Sequence, residues 1–165
     1  MTEPEPRDLR RDQCDDLSSA TLRWADNDML GHLNNAVYLE LFDTSINDWM
    51  VRETGIDERV APVQGVVAQS TVRYFAEVSF PGTVEVGIHV ARVGRTSLVL
   101  HAGLFVPGVD EPAAHLEWVQ VYIDRDSRRP TPVPDAARAV FDRCLAGRAP
   151  ASGRPNGPAS SDIAR

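Results

Sequence analysis

The sequence predicts an α+β fold, with an antiparallel five-stranded sheet wrapped around one long central helix. Three observations predict it. A single helical stretch near the N-terminal third carries a broad apolar stripe, which needs a sheet to cover it. Four strand-like runs follow, the middle two alternating apolar and polar residues. The turns between them are short and rich in Pro, Gly and Asp, which suits antiparallel neighbours.

The elements follow in chain order. A first strand is expected over Ala20 to Ala25, with Ala20, Leu22 and Trp24 on one side and Thr21 and Arg23 on the other. The helix is expected from Asn35 to Glu53. Its apolar positions Leu39, Phe42, Ile46, Trp49 and Met50 recur at helical spacing, Asn34 suits an N-cap, and Gly55 suits a terminator. Further strands are expected over Val66 to Phe75, Thr83 to Val93, Ser97 to Val106 and Ala114 to Ile123. Pro81-Gly82, Gly94-Arg95, Pro107-Gly108 and Asp124 to Arg129 punctuate them. A short helix from Pro134 to Cys144 closes the pattern. Residues 1–18 read as a flexible lead, 19–147 as the folded domain and 148–165, rich in Pro, Gly, Ala and Ser, as a disordered tail.

Composition removes several classes of function. The chain has 165 residues, 42% of them hydrophobic, which is ordinary for one globular domain. It contains no run of 18 apolar residues, so no membrane span is expected. Met1 to Asp16 has no apolar core of a secretory signal, and Cys14 and Cys144 suggest neither a disulfide framework nor metal-ligand spacing. A cytoplasmic setting is expected. A net charge of −7 argues against nucleic-acid binding. All 17 basic residues are arginine, so no lysine is present to form a Schiff base.

The connector from Arg23 to Tyr38 carries the chemistry. It packs Asp26, Asp28, Gly31, His32, Asn34 and Asn35 between a strand and a helix. Asp28 falls just before a helix N-terminus, where unpaired backbone N–H groups and the helix dipole can hold developing negative charge. A carboxylate beside such a site is what acyl transfer requires. A calcium loop of EF-hand type would need an oxygen ligand at Leu30, a glutamate at Val37 and a helix in front, and all three are missing.

The pattern Asp26-x-Asp28-x-x-Gly31-His32-x-Asn34-Asn35-x-x-Tyr38 resembles the signature of hotdog-fold acyl-CoA thioesterases of the 4-hydroxybenzoyl-CoA thioesterase type. The resemblance covers roughly residues 19–135. It extends to Arg73-Tyr74, Phe80-Pro81-Gly82-Thr83, Gly94-Arg95-Thr96-Ser97 and Val121-Tyr122-Ile123-Asp124 followed by Arg129-Pro130-Thr131-Pro132. It implies the hotdog fold and hydrolysis of an acyl-CoA to free acid and coenzyme A. It also implies Asp28 as the catalytic carboxylate, nucleophile or general base, and the Asn35 N–H as the group that polarises the thioester carbonyl. It implies homodimers or dimers of dimers with the site at the subunit boundary, and no metal or redox cofactor. The aryl-CoA branch lacks the His-x-Asn-Asn portion, so a benzoyl substrate does not carry over. The hydratase branch places an Asp-x-Asn-Pro-x-His arrangement here, whereas Asp28 precedes His32 by four positions with no proline between.

Duller roles stand beside these. Asp26 suits a plain turn residue, and Asn34 a helix cap. His32 suits a structural hydrogen-bond partner as well as a catalyst. Tyr38 and Trp24 suit core or pocket wall. Asp43 suits a solvated helix face or a second carboxylate. His89, His101 and His115 are spaced too irregularly to read as a ligand set. The resemblance implies Arg95, in the Gly94-Arg95-Thr96-Ser97 turn, as the preferred partner for coenzyme A phosphate, because the family tends to place basic residues near this strand junction; Arg92, Arg125, Arg128 and Arg129 rank behind it, and plain solvation on hairpin turns is the duller role for all five. Leu30, Tyr38 and Val67 are expected at the acyl pocket. The alternative function is a non-catalytic acyl-CoA-binding or regulatory protein. Such a protein would be expected to lose Asp28, and the polar residues 1–18 are too short for an added helix-turn-helix.

Overall fold

The computed structural model describes residues 6–147. Its strands are β1 (Asp16–Thr21), β2 (Val63–Tyr74), β3 (Thr83–Val93), β4 (Ser97–Phe105) and β5 (Ala114–Asp124), with helices α1 (Asn35–Thr54) and α2 (Asp135–Ala146). The strands form one antiparallel sheet in the order β1-β3-β4-β5-β2. This is the hotdog arrangement, with α1 lying on one face of the sheet.

Alternation drives the packing. Val84, Val86, Ile88 and Val90 of β3 and Leu98, Leu100, Ala102 and Leu104 of β4 are fully buried on the helix side. They meet Phe42, Ile46 and Trp49 of α1, and α2 adds Val140 and Phe141 at the margin. Emptying one such site, for example by Phe42→Ala, costs about 3–5 kcal/mol. Register shifts at Val67/Gln69 of β2 and Val90/Arg92 of β3 add local twist, so the sheet curls.

Helix α1 begins and ends on local chemistry. The Asn34 side chain accepts from the Ala36 N–H at 2.9 Å, and Gly55, at φ 66°, closes the other end in a left-handed cap. Among the described residues no helix is long and apolar enough to cross a membrane.

The first strand departs from expectation. It starts at Asp16 rather than Ala20 and stops at Thr21, and Trp24–Asp26 form a 3-10 turn. The cause is Asp26, whose carboxylate accepts from the Arg23 N–H at 2.6 Å and from Arg23 Nε at 2.9 Å. That turn swings Trp24 outward to 82% exposure, against the edge of Phe80.

Residues expected as a lead are also placed, from residue 6 onward. Leu9 is buried on the sheet face opposite α1, and Arg11 pairs with Glu85. The facing glycines Gly87 and Gly103 leave the room, since a Cβ on Gly87 would strike the Cys14 sulfur and one on Gly103 the Phe105 ring. The expected tail, 148–165, lies outside the described residues.

The same outer face collects three histidines that linear spacing had separated. Strand register pairs His89 with His101, and His101 Nδ1 meets His115 Nε2 at 3.0 Å. Burial first, and the neighbouring His101 second, pushes His115 down to about 4. Among the described residues no group of three or more His, Cys, Asp or Glu side chains is arranged to hold a metal ion.

Candidate active site

The connector between β1 and α1 is a small hairpin. Asn27 and Leu33 form a bridge, the Asp28 N–H donates to the His32 carbonyl at 2.9 Å, and the Gly31 N–H donates to the Asp28 carbonyl at 3.1 Å. Gly31 sits at φ 83°, a conformation glycine adopts at little cost. At the tip, the Asp28 carboxylate accepts the Leu30 N–H through Oδ1 at 2.8 Å. One carboxylate oxygen is thus used to orient the group. The other accepts no hydrogen bond among the described residues.

Two long-range contacts hold the hairpin on the body of the fold. The Leu33 N–H donates to the Val78 carbonyl at 2.7 Å, and Asn27 Oδ1 accepts the Phe80 N–H at 3.0 Å. Asp26 is buried beneath and does not face the site. Its carbonyl accepts the Asn34 N–H at 2.8 Å, and the Arg23 guanidinium holds its carboxyl below the usual carboxylate range. Its role is that of the turn residue.

The first turn of α1 has a specific electrostatic consequence. The Asn34 N–H goes to the Asp26 carbonyl, the Ala36 N–H to the Asn34 side chain and the Val37 N–H to the Asn34 carbonyl. The Asn35 N–H alone of these has no acceptor among the described residues. It is an open donor at the positive end of a 20-residue helix.

Asp28 and Asn35 line one open depression of about 500 Å³. Leu30, His32, Leu33 and Tyr38 join them, and Tyr74, Phe75, Ala76 and Glu77 form the opposite side. Tyr38 is buried, and burial raises its hydroxyl above the ordinary range. Its ring meets the Tyr74 ring edge-on at 5.1 Å. The Tyr74 hydroxyl donates to the Asn35 carbonyl at 3.0 Å. His32 Nε2 lies 3.2 Å from Glu77 Oε2 at the rim.

The expected site residues Asp28, His32, Asn35 and Tyr38 therefore come together, with Leu30. Arg95 and Val67 do not join them. Arg95 lies in the β3–β4 turn, where its carbonyl accepts the Val133 N–H, at the end of the sheet remote from the Asp28 hairpin. Val67 sits in mid-β2, about 23 Å along the strand from Tyr74 at the usual rise. Asp43 is exposed and bonds Asn47. Tyr74 and Glu77 were not expected at the site. The Arg73-Tyr74 pair stood out only as part of the resemblance, and nothing in the sequence near Glu77 signals its contact with His32.

A carboxylate and an open helix N–H lining one cleft are groups that can serve acyl transfer. The profile of the thioesterase-like superfamily matches residues 22–141. The chain belongs to that superfamily, and thioester hydrolysis is its chemistry. Solved structures agree. The chain is similar to the PA5185 protein of Pseudomonas aeruginosa, at 36% identity over 82% of this chain and 94% of that one, with a TM-score of 0.78. It is similar to the PA2801 protein of the same organism at 32% identity, over 76% and 96% of the two chains, with a TM-score of 0.69. A thioesterase of Thermus thermophilus, solved with coenzyme A and zinc, is 30% identical over 81% of this chain and 95% of that one, with a TM-score of 0.68. No curated protein matches the chain.

Proposed function

We propose that the chain is a cytoplasmic acyl-CoA thioesterase that works as a homodimer or a dimer of dimers. The observation that carries the reading is the shared depression of Asp28 and the open Asn35 N–H. A thioester carbonyl whose oxygen accepts from Asn35 N–H presents its carbon toward the carboxylate. As negative charge grows on that oxygen, the helix N-terminus stabilises it.

Asp28 then acts in one of two balanced ways. As nucleophile its oxygen bonds the acyl carbon, the C–S bond breaks, coenzyme A leaves as thiolate, and water hydrolyses the mixed anhydride. As general base it takes a proton from water while the water oxygen bonds the acyl carbon, and the departing thiolate takes the proton. Either route consumes one water and yields acid and thiol. His32 serves through its carbonyl, which closes the Asp28 hairpin, and its ring, beside Glu77, forms the rim. Tyr38 and Leu30 form the apolar side of the acyl pocket, and Arg95 is the proposed contact for coenzyme A phosphate.

The dimer reading rests on β2. This 12-residue edge strand has five consecutive exposed residues, 67–71, and contains no proline and a single charge, Arg73. Edges are normally blunted by those features, and one that lacks them is suited to pairing. Purified protein screened against short, long, branched and aryl acyl-CoAs with a free-thiol readout tests the activity, and light scattering tests the dimer. Binding of acyl-CoA without thiol release would favour the non-catalytic alternative. A clean, active monomer would reject the assembly.

A further inference from the structure

The wall of the depression opposite Asp28 is short. Phe75, Ala76 and Glu77 alone separate the end of β2 from buried Val78. Ala76 and Glu77 are exposed, and the Phe75 and Ala76 N–H groups share one acceptor, the Ala113 carbonyl, at 2.8 and 3.1 Å. Both flanks of this wall touch the site. Tyr74, next to Phe75, donates to the Asn35 carbonyl, and Glu77 meets His32. A displacement of Phe75 therefore bears on both contacts.

A segment from outside the site reaches this wall. Residues 6–15 run as a strap over the sheet face opposite α1. The Asp15 N–H donates to the Ile88 carbonyl at 2.7 Å, and its carboxylate accepts the Val90 N–H at 2.7 Å. His89 Nδ1 donates to the Gln13 carbonyl at 2.9 Å. Farther along, Arg11 pairs with Glu85 and donates to the Val106 and Val109 carbonyls at 3.4 and 3.5 Å. That connection leads on to Ala113, the shared acceptor of the wall. Leu9 packs at Gly103. A guanidinium N–H of Arg10 donates to the Arg7 carbonyl at 2.6 Å, which holds the backbone that carries Arg7. At the end of the strap the Arg7 guanidinium lies over the Phe75 ring, 4.8 Å from its centroid.

The contact is cation on aromatic face, attracted by the negative face of the ring. Alternation along the chain puts the Tyr74 ring against Tyr38, on the helix side, and the Phe75 ring on the outer side. Arg7 thus meets the wall from behind. We propose, on the acyl-CoA thioesterase reading, that the strap belongs to the active-site machinery and that Arg7 is a positioning residue: seated on the Phe75 ring, it holds Tyr74 and residues 75–77 in place against Asn35 and His32. Arg7 acts through Phe75 and not on the substrate. The strap is then the outer brace of a wall whose inner side meets the acyl group.

Substitutions at this contact in the full chain test the proposal. Arg7→Ala should lower kcat for acyl-CoA about tenfold, because small misplacements of reacting groups are costly, with the melting temperature nearly unchanged. The same loss should appear on an acyl-pantetheine, since the effect does not pass through the nucleotide. Arg7→Lys keeps a cation over the ring and should recover most of the turnover. In a Phe75→Leu background, Arg7→Ala should change kcat by less than about twofold, because the two residues act as one unit. Hydrogen exchange adds a readout that needs no catalysis: the amides of residues 74–78 should exchange faster in Arg7→Ala, with those of β3 unaltered. Unchanged kcat in Arg7→Ala overturns the proposal even if exchange quickens. A loss that vanishes on acyl-pantetheine makes Arg7 a substrate contact and overturns it too, as does a full tenfold loss in the Phe75→Leu background. Wild-type protein that releases no thiol from any acyl-CoA overturns the thioesterase reading, and with it the catalytic role of Arg7.

Discussion

The Tyr74 hydroxyl donates to the Asn35 carbonyl at 3.0 Å, which joins the last residue of β2 to the first residue of α1. This bond fixes the peptide whose neighbouring N–H is the proposed oxyanion donor. It also couples the site to the edge strand proposed for dimer pairing. The first turn of α1 is therefore held from two sides, by Asp26 beneath and Tyr74 across the depression.

Tyr74→Phe removes the bond and keeps the ring that packs on Tyr38. The hydroxyl is partly exposed, so the loss in stability should stay within about 1 kcal/mol. Turnover should fall more than that implies, by roughly tenfold, because small displacements of an oxyanion donor are costly. Steady-state kinetics and thermal melts on the same preparation check this. Loss of melting temperature without loss of kcat would make Tyr74 a packing residue only.

Arg95→Ala should raise KM for acyl-CoA more than it lowers kcat. Its proposed contact is remote from the reacting carbon and similar in ground and transition states. The penalty should be about 1–3 kcal/mol. It should nearly disappear for a substrate lacking the nucleotide, and equal losses on both substrates would reject the assignment.

The legible parts of the fold are those where side chains alternate cleanly or cap an end. β3 begins and ends where the alternation of Val84, Val86, Ile88 and Val90 says it should, and α1 begins at Asn35 behind its Asn34 cap. β1 was illegible because its Leu17 points outward while Asp16, Ser18 and Ala20 point inward, the reverse of a half-buried strand. The site divides in the same way. Asp28, His32, Asn35 and Tyr38 come from one contiguous connector, so their meeting follows from local structure. Tyr74 and Glu77 arrive through long-range packing of β2 and the segment after it, and no local spacing announces them. The three outer-face histidines show the same limit, since only strand register brings them into contact.

That histidine cluster predicts a pH dependence of stability. The folded state holds His115 down from 6.5 to about 4, chiefly by burial. The unfolded chain therefore binds this proton first as pH falls. The contribution is fully present above pH 6.5 and is lost progressively between pH 6.5 and about 4, on the order of 3 kcal/mol in all. Denaturant titrations at pH 7.5, 5.5 and 4.5 should show His115→Gln losing less stability than wild type over that window. Parallel slopes in the two proteins would exclude His115 as the titrating group.

The decisive comparison is between the two aspartates of the connector. Asp28→Asn keeps the size and the Leu30 N–H bond but removes the charge needed to attack carbon or accept a proton. Turnover should fall by about 10²–10⁴-fold, the usual scale for losing a general base, while fold and acyl-CoA binding persist. Asp26→Asn acts on a buried carboxylate held by Arg23, so it should lower the melting temperature and cost much less turnover in the fraction that remains folded. The two variants thus separate chemistry from architecture within three residues. Near-native turnover in Asp28→Asn, or a folded but dead Asp26→Asn, would show that the wrong carboxylate has been assigned. Wild-type protein that binds acyl-CoA without releasing thiol would instead mark the depression as a binding site in which Asp28 performs no hydrolysis.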